Sequence, residues 1–169
     1  MKESLKTTGA PSLEELHNSP AFPTQEQLRK GPIVIIECIE EIPCNPCEAS
    51  CAQGAITIGE NITNLPRINF EKCIACGVCI AACPGLAIYI KDYTYSDTMA
   101  LLSFPYEYYP LPQVGNTVQA VDRHGNYVCN GKVIRVRNPK YNDHTAVVTI
   151  EYPKEYFEDA INIKRIAMS

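Results

Sequence analysis

Cys73, Cys76, Cys79 and Cys83, followed by Pro84, fall in the spacing C-x2-C-x2-C-x3-C-P. Two-residue gaps in a loop turn three successive thiols toward one object larger than a single ion. The three-residue gap then carries the fourth thiol onto the next helix, where it faces away from the first three. Upstream, Cys44, Cys47 and Cys51 repeat the last three positions of the run, and "CAQGAI" answers "CPGLAI" at the end of each half. Each half reads as strand, cysteine loop, short helix and strand, so the middle of the chain is an internal duplication.

Eight of the nine cysteines lie between Cys38 and Cys83. A disulfide framework would explain that density only in an exported chain, and "MKESLKTTGAPSLEELH" lacks the apolar stretch of a secretory signal. The thiols are therefore expected to be reduced and to serve as metal ligands. Structural zinc takes two separated C-x2-C pairs and has no use for a third cysteine at the same interval, so the run points to iron–sulfur. In that arrangement the fourth cysteine of each half ligates the centre of the other half. One [4Fe-4S] cluster is then expected on Cys73, Cys76, Cys79 and Cys51, and a second on Cys83, Cys44 and Cys47. The counterpart of Cys73 falls at position 41, which is Glu41. Cys38 lies three residues earlier, and Pro43 and Pro46 forbid a helix between it and Cys47, so a wider loop can bring Cys38 in as the eighth ligand. Glu41 as a carboxylate ligand, and a cluster of only three irons, are the other readings.

On these residues (Cys44, Cys47, Cys51, Cys73, Cys76, Cys79, Cys83 and Pro84) the segment 32–92 resembles a bacterial-type two-[4Fe-4S] ferredoxin domain. It departs from that pattern in the Cys38–Cys44 gap and in Ala52, where a proline often follows the last cysteine of a half. The resemblance implies paired α+β halves around two clusters and one-electron transfer between redox partners. The "IECIEEIPCNPCEASC" neighbourhood and the chain architecture are also similar to the small iron–sulfur subunits of FAD-dependent amino-acid or amine dehydrogenases, the dye-linked proline dehydrogenase and hydrogen cyanide synthase-like group. This second resemblance implies FAD-containing dehydrogenase subunits as partners in a hetero-oligomer.

The remaining segments read as additions to this unit. Residues 1–31 form an N-terminal extension. In it Ser12 with Glu15 makes a capping box, Thr24 opens a second short helix, and Gly31 stops it. Few large apolar residues are present there, so the extension is expected to lie on a partner rather than to build a core. Residues 93–110, rich in tyrosine and proline, are expected as a linker. Residues 111–169 carry closely spaced strand and turn signals and are expected as a small antiparallel β-barrel of SH3-like type, giving an α+β chain overall. Within "VIRVR", alternation puts Ile134 and Val136 on one face and Arg135 and Arg137 on the other. Cys129 reads as a small core residue, and His17, His124 and His144 as surface residues. The tyrosines from Tyr89 to Tyr109 read either as a docking surface or as packing.

A net charge of −4 gives no general pull toward nucleic acid or anionic membrane. Arg123, Lys132, Arg135, Arg137 and Lys140 could form a basic stripe, but no aromatic stacking motif accompanies them, so no nucleic-acid partner is expected. The longest aliphatic run, "IVIIECI", is far short of the roughly 18–20 residues that span a bilayer, so no membrane insertion and a cytoplasmic location are expected. The functional expectation is a non-catalytic electron-transfer subunit passing single electrons between a flavoprotein and an acceptor. A free-standing soluble ferredoxin, and an RNA-binding or regulatory iron–sulfur protein, are the alternatives.

Overall fold

The computed structural model describes residues 3–167. Three short helices open the chain: α1 (Glu3–Thr8), α2 (Leu13–His17) and α3 (Gln25–Leu28). The cysteine unit follows as β1 (Ile33–Ile36), α4 (Pro46–Ala49), β2 (Ile56–Thr57), β3 (Arg67–Ile68), α5 (Val78–Ala82) and β4 (Ile88–Asp92). Five strands complete the chain: β5 (Met99–Tyr106), β6 (Thr117–Val121), β7 (Tyr127–Arg137), β8 (Ala146–Pro153) and β9 (Asn162–Ile163). None of the described helices is long and apolar enough to cross a membrane.

A seven-stranded antiparallel sheet in the order β1-β4-β5-β8-β7-β6-β9 runs through both parts of the chain, and β2 pairs with β3 in a separate ribbon. The α+β class is therefore as expected, but the organisation differs from a ferredoxin unit joined by a linker to a barrel. The stretch expected as a linker contains β5, which pairs with β4 on one side and along its whole length with β8 on the other. The strands expected as a separate small barrel thus continue the sheet of the cysteine unit. The physical reason is the alternation in "MALLSFPY": Ala100, Leu102, Phe104 and Tyr106 are all buried on one face. Within β7 the register shifts between Val133 and Arg135. This bulge removes Ile134 from the alternation and leaves Val133 and Val136 facing the core.

All four residues of β1 are buried because the strand is buried on both faces. Ile33 and Ile35, with Tyr89 of β4, face a core built mainly from β5 to β9. Val34 and Ile36, with Ile88 and Ile90, face the cysteines. Antiparallel register pairs these faces residue by residue, Ile35 with Tyr89 and Ile36 with Ile88. The N-terminal helices cover the chain's own sheet: Leu16, Ala21 and Leu28 are buried. Both caps form as capping boxes, Ser12 with Glu15 and Thr24 with Gln27.

A polar knot ties the two parts of the sheet together. Arg123 grips the Glu37 carboxylate at 2.5–3.0 Å through Nη2 and Nε, and the Tyr89 hydroxyl donates to the same carboxylate. Beside it the Lys91 ammonium, only 2% exposed, donates to the carbonyls of Phe157 and Glu158. Burial, then the Arg123 charge, push Lys91 down to about 7 from an ordinary 10.5, while Glu37, Asp159 and Glu158 pull it back. Between those values the unfolded chain holds more protons than the folded one, so the stability contributed at this site rises with pH. The difference in urea midpoint between wild type and Lys91→Met is expected to move in favour of wild type as pH rises from about 7 to about 10. A constant difference would mean that Lys91 stays charged in the fold. On the other face, Ile36→Ala is expected to cost about 2–5 kcal/mol in the same measurement.

Candidate metal centre

The two halves deliver their cysteines with the same local geometry. In the first half the chain leaves β1 with Cys38, passes Cys44, and enters α4 with Pro46 at its first turn, where the missing N–H costs nothing. Cys47 lies in α4 and Cys51 follows its C-cap residue Ser50. In the second half Ala75 and Gly77 take positive φ (51° and 79°), Gly77 caps α5, and Cys83 closes it. The turns after the helices match atom for atom. Gly54 N–H donates to the Cys51 carbonyl at 2.9 Å and Leu86 N–H to the Cys83 carbonyl at 3.1 Å. Ala55 N–H then donates to Cys51 Sγ at 3.3 Å and Ala87 N–H to Cys83 Sγ at 3.4 Å. Both turns need a left-handed residue, Gly54 (φ 57°) in one and Leu86 (φ 53°) in the other.

Two cavities open on this framework, each lined by four thiols. Cys38, Cys44, Cys47 and Cys83 face the first, which encloses about 400 Å³ with its mouth included. Cys51, Cys73, Cys76 and Cys79 face the second, of about 330 Å³. Each set contains one cysteine from the other half, Cys83 in the first and Cys51 in the second. Cys38 stands in the wall with Cys44 and Cys47, whereas Glu41 is exposed and outside the lining; Glu40 is in the wall. The remaining walls are mainly apolar: Ile36, Ile58 and Ile88 in the first cavity, Val34, Ile56 and Val78 in the second. Among the described residues, no three of His, Cys, Asp or Glu converge as one metal ion would require.

The electrostatics divide the thiols in the same way. Burial raises all the shifted thiols, Cys47 to about 11 and Cys79 to about 12. Burial comes first for Cys38 as well, followed by repulsion from Cys83 and Cys44. For Cys73 burial is followed by a lowering hydrogen bond from the Ala75 backbone and by repulsion from Cys51 and Cys76. Such thiols stay protonated near neutral pH unless a cation takes the place of the proton, so metal loading and proton release are coupled here. Four thiols per cavity, mainly apolar walls and backbone N–H groups aimed at sulfur make a donor set that fits an iron–sulfur cubane.

Cys129 is apart from both sets, buried in the core of β5 to β9 with its thiol pushed up to about 11 by burial. His17, His124 and His144 are exposed. The tyrosines divide: Tyr89 and Tyr106 are core residues, while Tyr95, Tyr108 and Tyr109 are exposed. Sequence reasoning missed the Glu37–Arg123–Lys91 knot. Its one visible sign is a lysine set in the apolar strand "LAIYIKD".

Residues 37–94 match the 4Fe-4S dicluster domain family. Three relatives illustrate the likeness. One subunit of the ion-translocating oxidoreductase complex of Methanosarcina acetivorans is 46% identical over 50 residues, 30% of this chain and 18% of the relative. The polyferredoxin-like subunit of aliphatic sulfonate oxidoreductase of Pyrococcus furiosus is 39% identical over 54 residues, 32% of this chain and 28% of the relative. An uncharacterized ferredoxin of Methanocaldococcus jannaschii is 39% identical over 61 residues, 36% of each chain. This chain therefore spans only between 18% and 36% of the length of these relatives. No solved structure matches it.

The position of Cys38 gives a direct expectation. Cys38→Ala should lower the iron bound per chain and change the EPR spectrum of one centre, while Glu41→Gln should leave both unaltered. Full iron and an unchanged spectrum in Cys38→Ala would remove that thiol from the ligand set.

Proposed function

We propose that this chain, whose residues 37–94 belong to the 4Fe-4S dicluster domain family, is an electron-transfer subunit carrying two [4Fe-4S] clusters. The observation that supports this reading best is the pair of adjacent cavities with four thiols each. Cys51, Cys73, Cys76 and Cys79 hold one cluster; Cys38, Cys44, Cys47 and Cys83 hold the other. When bound, each cluster takes up and returns one electron at a time. The chain contributes the rest: helices α4 and α5 pack against each other, the isoleucines of β1 and β4 exclude water, and N–H groups stabilise charge on sulfur.

The subunit relays single electrons between a flavoprotein partner and an acceptor inside a multi-subunit oxidoreductase. Two features support a fixed place in an assembly. The relatives from Methanosarcina and Pyrococcus are by name subunits of oxidoreductases. The chain also follows its cysteine unit with five further strands that transfer of an electron does not itself require. The FAD-containing dehydrogenase partner rests on the resemblance of the "PCNPC" neighbourhood and of the chain architecture to the small iron–sulfur subunits of such enzymes.

Protein purified without a tag under anaerobic conditions is expected to contain iron and sulfide for two clusters and a broad brown absorption bleached by dithionite. It should co-elute on size exclusion with a flavin-containing chain. Zinc in place of iron would end the cluster reading. Elution as a lone iron-loaded chain would make it a free carrier instead.

A further inference from the structure

Arg137, the last residue of β7, is half-buried, and its guanidinium has neither an ion pair nor a hydrogen bond among the described residues. Its Nη2 lies 3.0 Å from the point where a Cβ on Gly77 would stand, with Ile90 and Ile80 closing in at 3.4 and 3.5 Å. Gly77 sits between Cys76 and Cys79 and takes φ +79°. The glycine is therefore fixed twice, by its backbone conformation and by the guanidinium pressed on it. A guanidinium has five donors and a permanent charge, and leaving it half-buried without a partner is costly. The bulge at Ile134 re-aims the end of β7 so that Arg137 lands on this loop.

Arg137 thus stands against the Gly77 loop from outside the cavity lining, whereas a carboxylate stands in the wall of the other cavity. Glu40 lines it beside Cys38 and Cys44.

We propose that Arg137 and Glu40 rank the two centres. Arg137 makes the centre on Cys51, Cys73, Cys76 and Cys79 easier to reduce, and Glu40 makes the centre on Cys38, Cys44, Cys47 and Cys83 harder to reduce. The inference rests on the two-cluster reading above. Its cause is Coulombic. A four-thiolate centre is already negative, so a nearby cation favours an added electron and a nearby carboxylate opposes it, and half-burial leaves both effects weakly screened. Single electrons then run from the Cys38 set to the Cys76 set. The first centre is oxidised and the second reduced by one electron, with no proton moved. The flavin partner is the reductant on the Cys38 side, and a one-electron acceptor draws from the other side, where Cys76 is exposed.

EPR-monitored redox titration of the full chain loaded with iron and sulfide tests the ranking. Arg137→Gln should lower the higher of the two midpoint potentials. The shift should be enough to change that centre's oxidised-to-reduced ratio about tenfold at the wild-type midpoint, or about 59 mV for one electron. Arg137→Lys should keep most of the wild-type value, and Glu40→Gln should raise the lower midpoint. An Arg137→Gln chain with full iron whose higher midpoint stays put, or whose lower midpoint moves instead, overturns the proposal. If Arg137→Gln does not retain iron, Glu40→Gln decides, and a shift in the higher midpoint or in neither overturns it. A wild-type chain that binds no iron overturns the cluster reading itself, and the ranking falls with it; the iron count tells the two failures apart.

Discussion

Each set of four thiols is drawn from both halves of a duplicated segment, and this crossing is the constraint on which the rest of the structure depends. Cys83 must reach Cys38, Cys44 and Cys47, and Cys51 must reach Cys73, Cys76 and Cys79. Neither half can assemble a set alone. The antiparallel pairing of β1 with β4 supplies the common floor, since their alternate residues Val34, Ile36, Ile88 and Ile90 pack directly beneath the thiols. The equivalent turns at Gly54 and Leu86 fix the two crossing cysteines by backbone N–H groups rather than by side chains. Geometry at the sulfurs is thereby held by the part of the chain least sensitive to substitution.

The same two strands connect the cysteine unit to everything else. Their other face, Ile33, Ile35 and Tyr89, belongs to the core of β5 to β9. Val147 of β8 reaches back into the cysteine core, and α5 touches β5 and β8. The largely buried Glu37–Arg123 pair, with side chains 9% and 11% exposed, joins the residue before Cys38 to the hairpin after β6. Such a pair adds little net stability where desolvation offsets attraction, but removing one partner alone leaves a buried charge. It fixes how the two parts meet.

Much of the site was legible because metal ligation imposes spacing on sequence. The cysteine run, the duplication and the crossing of Cys51 and Cys83 all follow from intervals, and the capping boxes at Ser12 and Thr24 follow from local chemistry. The sheet was less legible where composition and period disagree. The tyrosines and prolines around "MALLSFPY" read as a linker, while its alternation is that of a strand paired on both sides. The positive φ at Leu86 stands where a glycine is the usual sign, and Gly85 next to it draws the eye to the wrong residue. Lys91 and Arg137 meet residues far away in sequence, Phe157 and Gly77, and no local pattern announces such meetings.

The placement of β5 has a consequence for how small this protein can become. A chain cut after Asp92 would keep every one of the eight clustered cysteines and still be damaged. It would turn β4 into an open edge with unpaired N–H and C=O groups, and it would uncover Ile35 and Tyr89 to water beside a lysine stripped of its carbonyl partners. A fragment of that kind invites pairing with other copies. The minimal unit of this chain is therefore larger than its metal-binding motif, because the sheet that supports the motif is completed by strands that follow it.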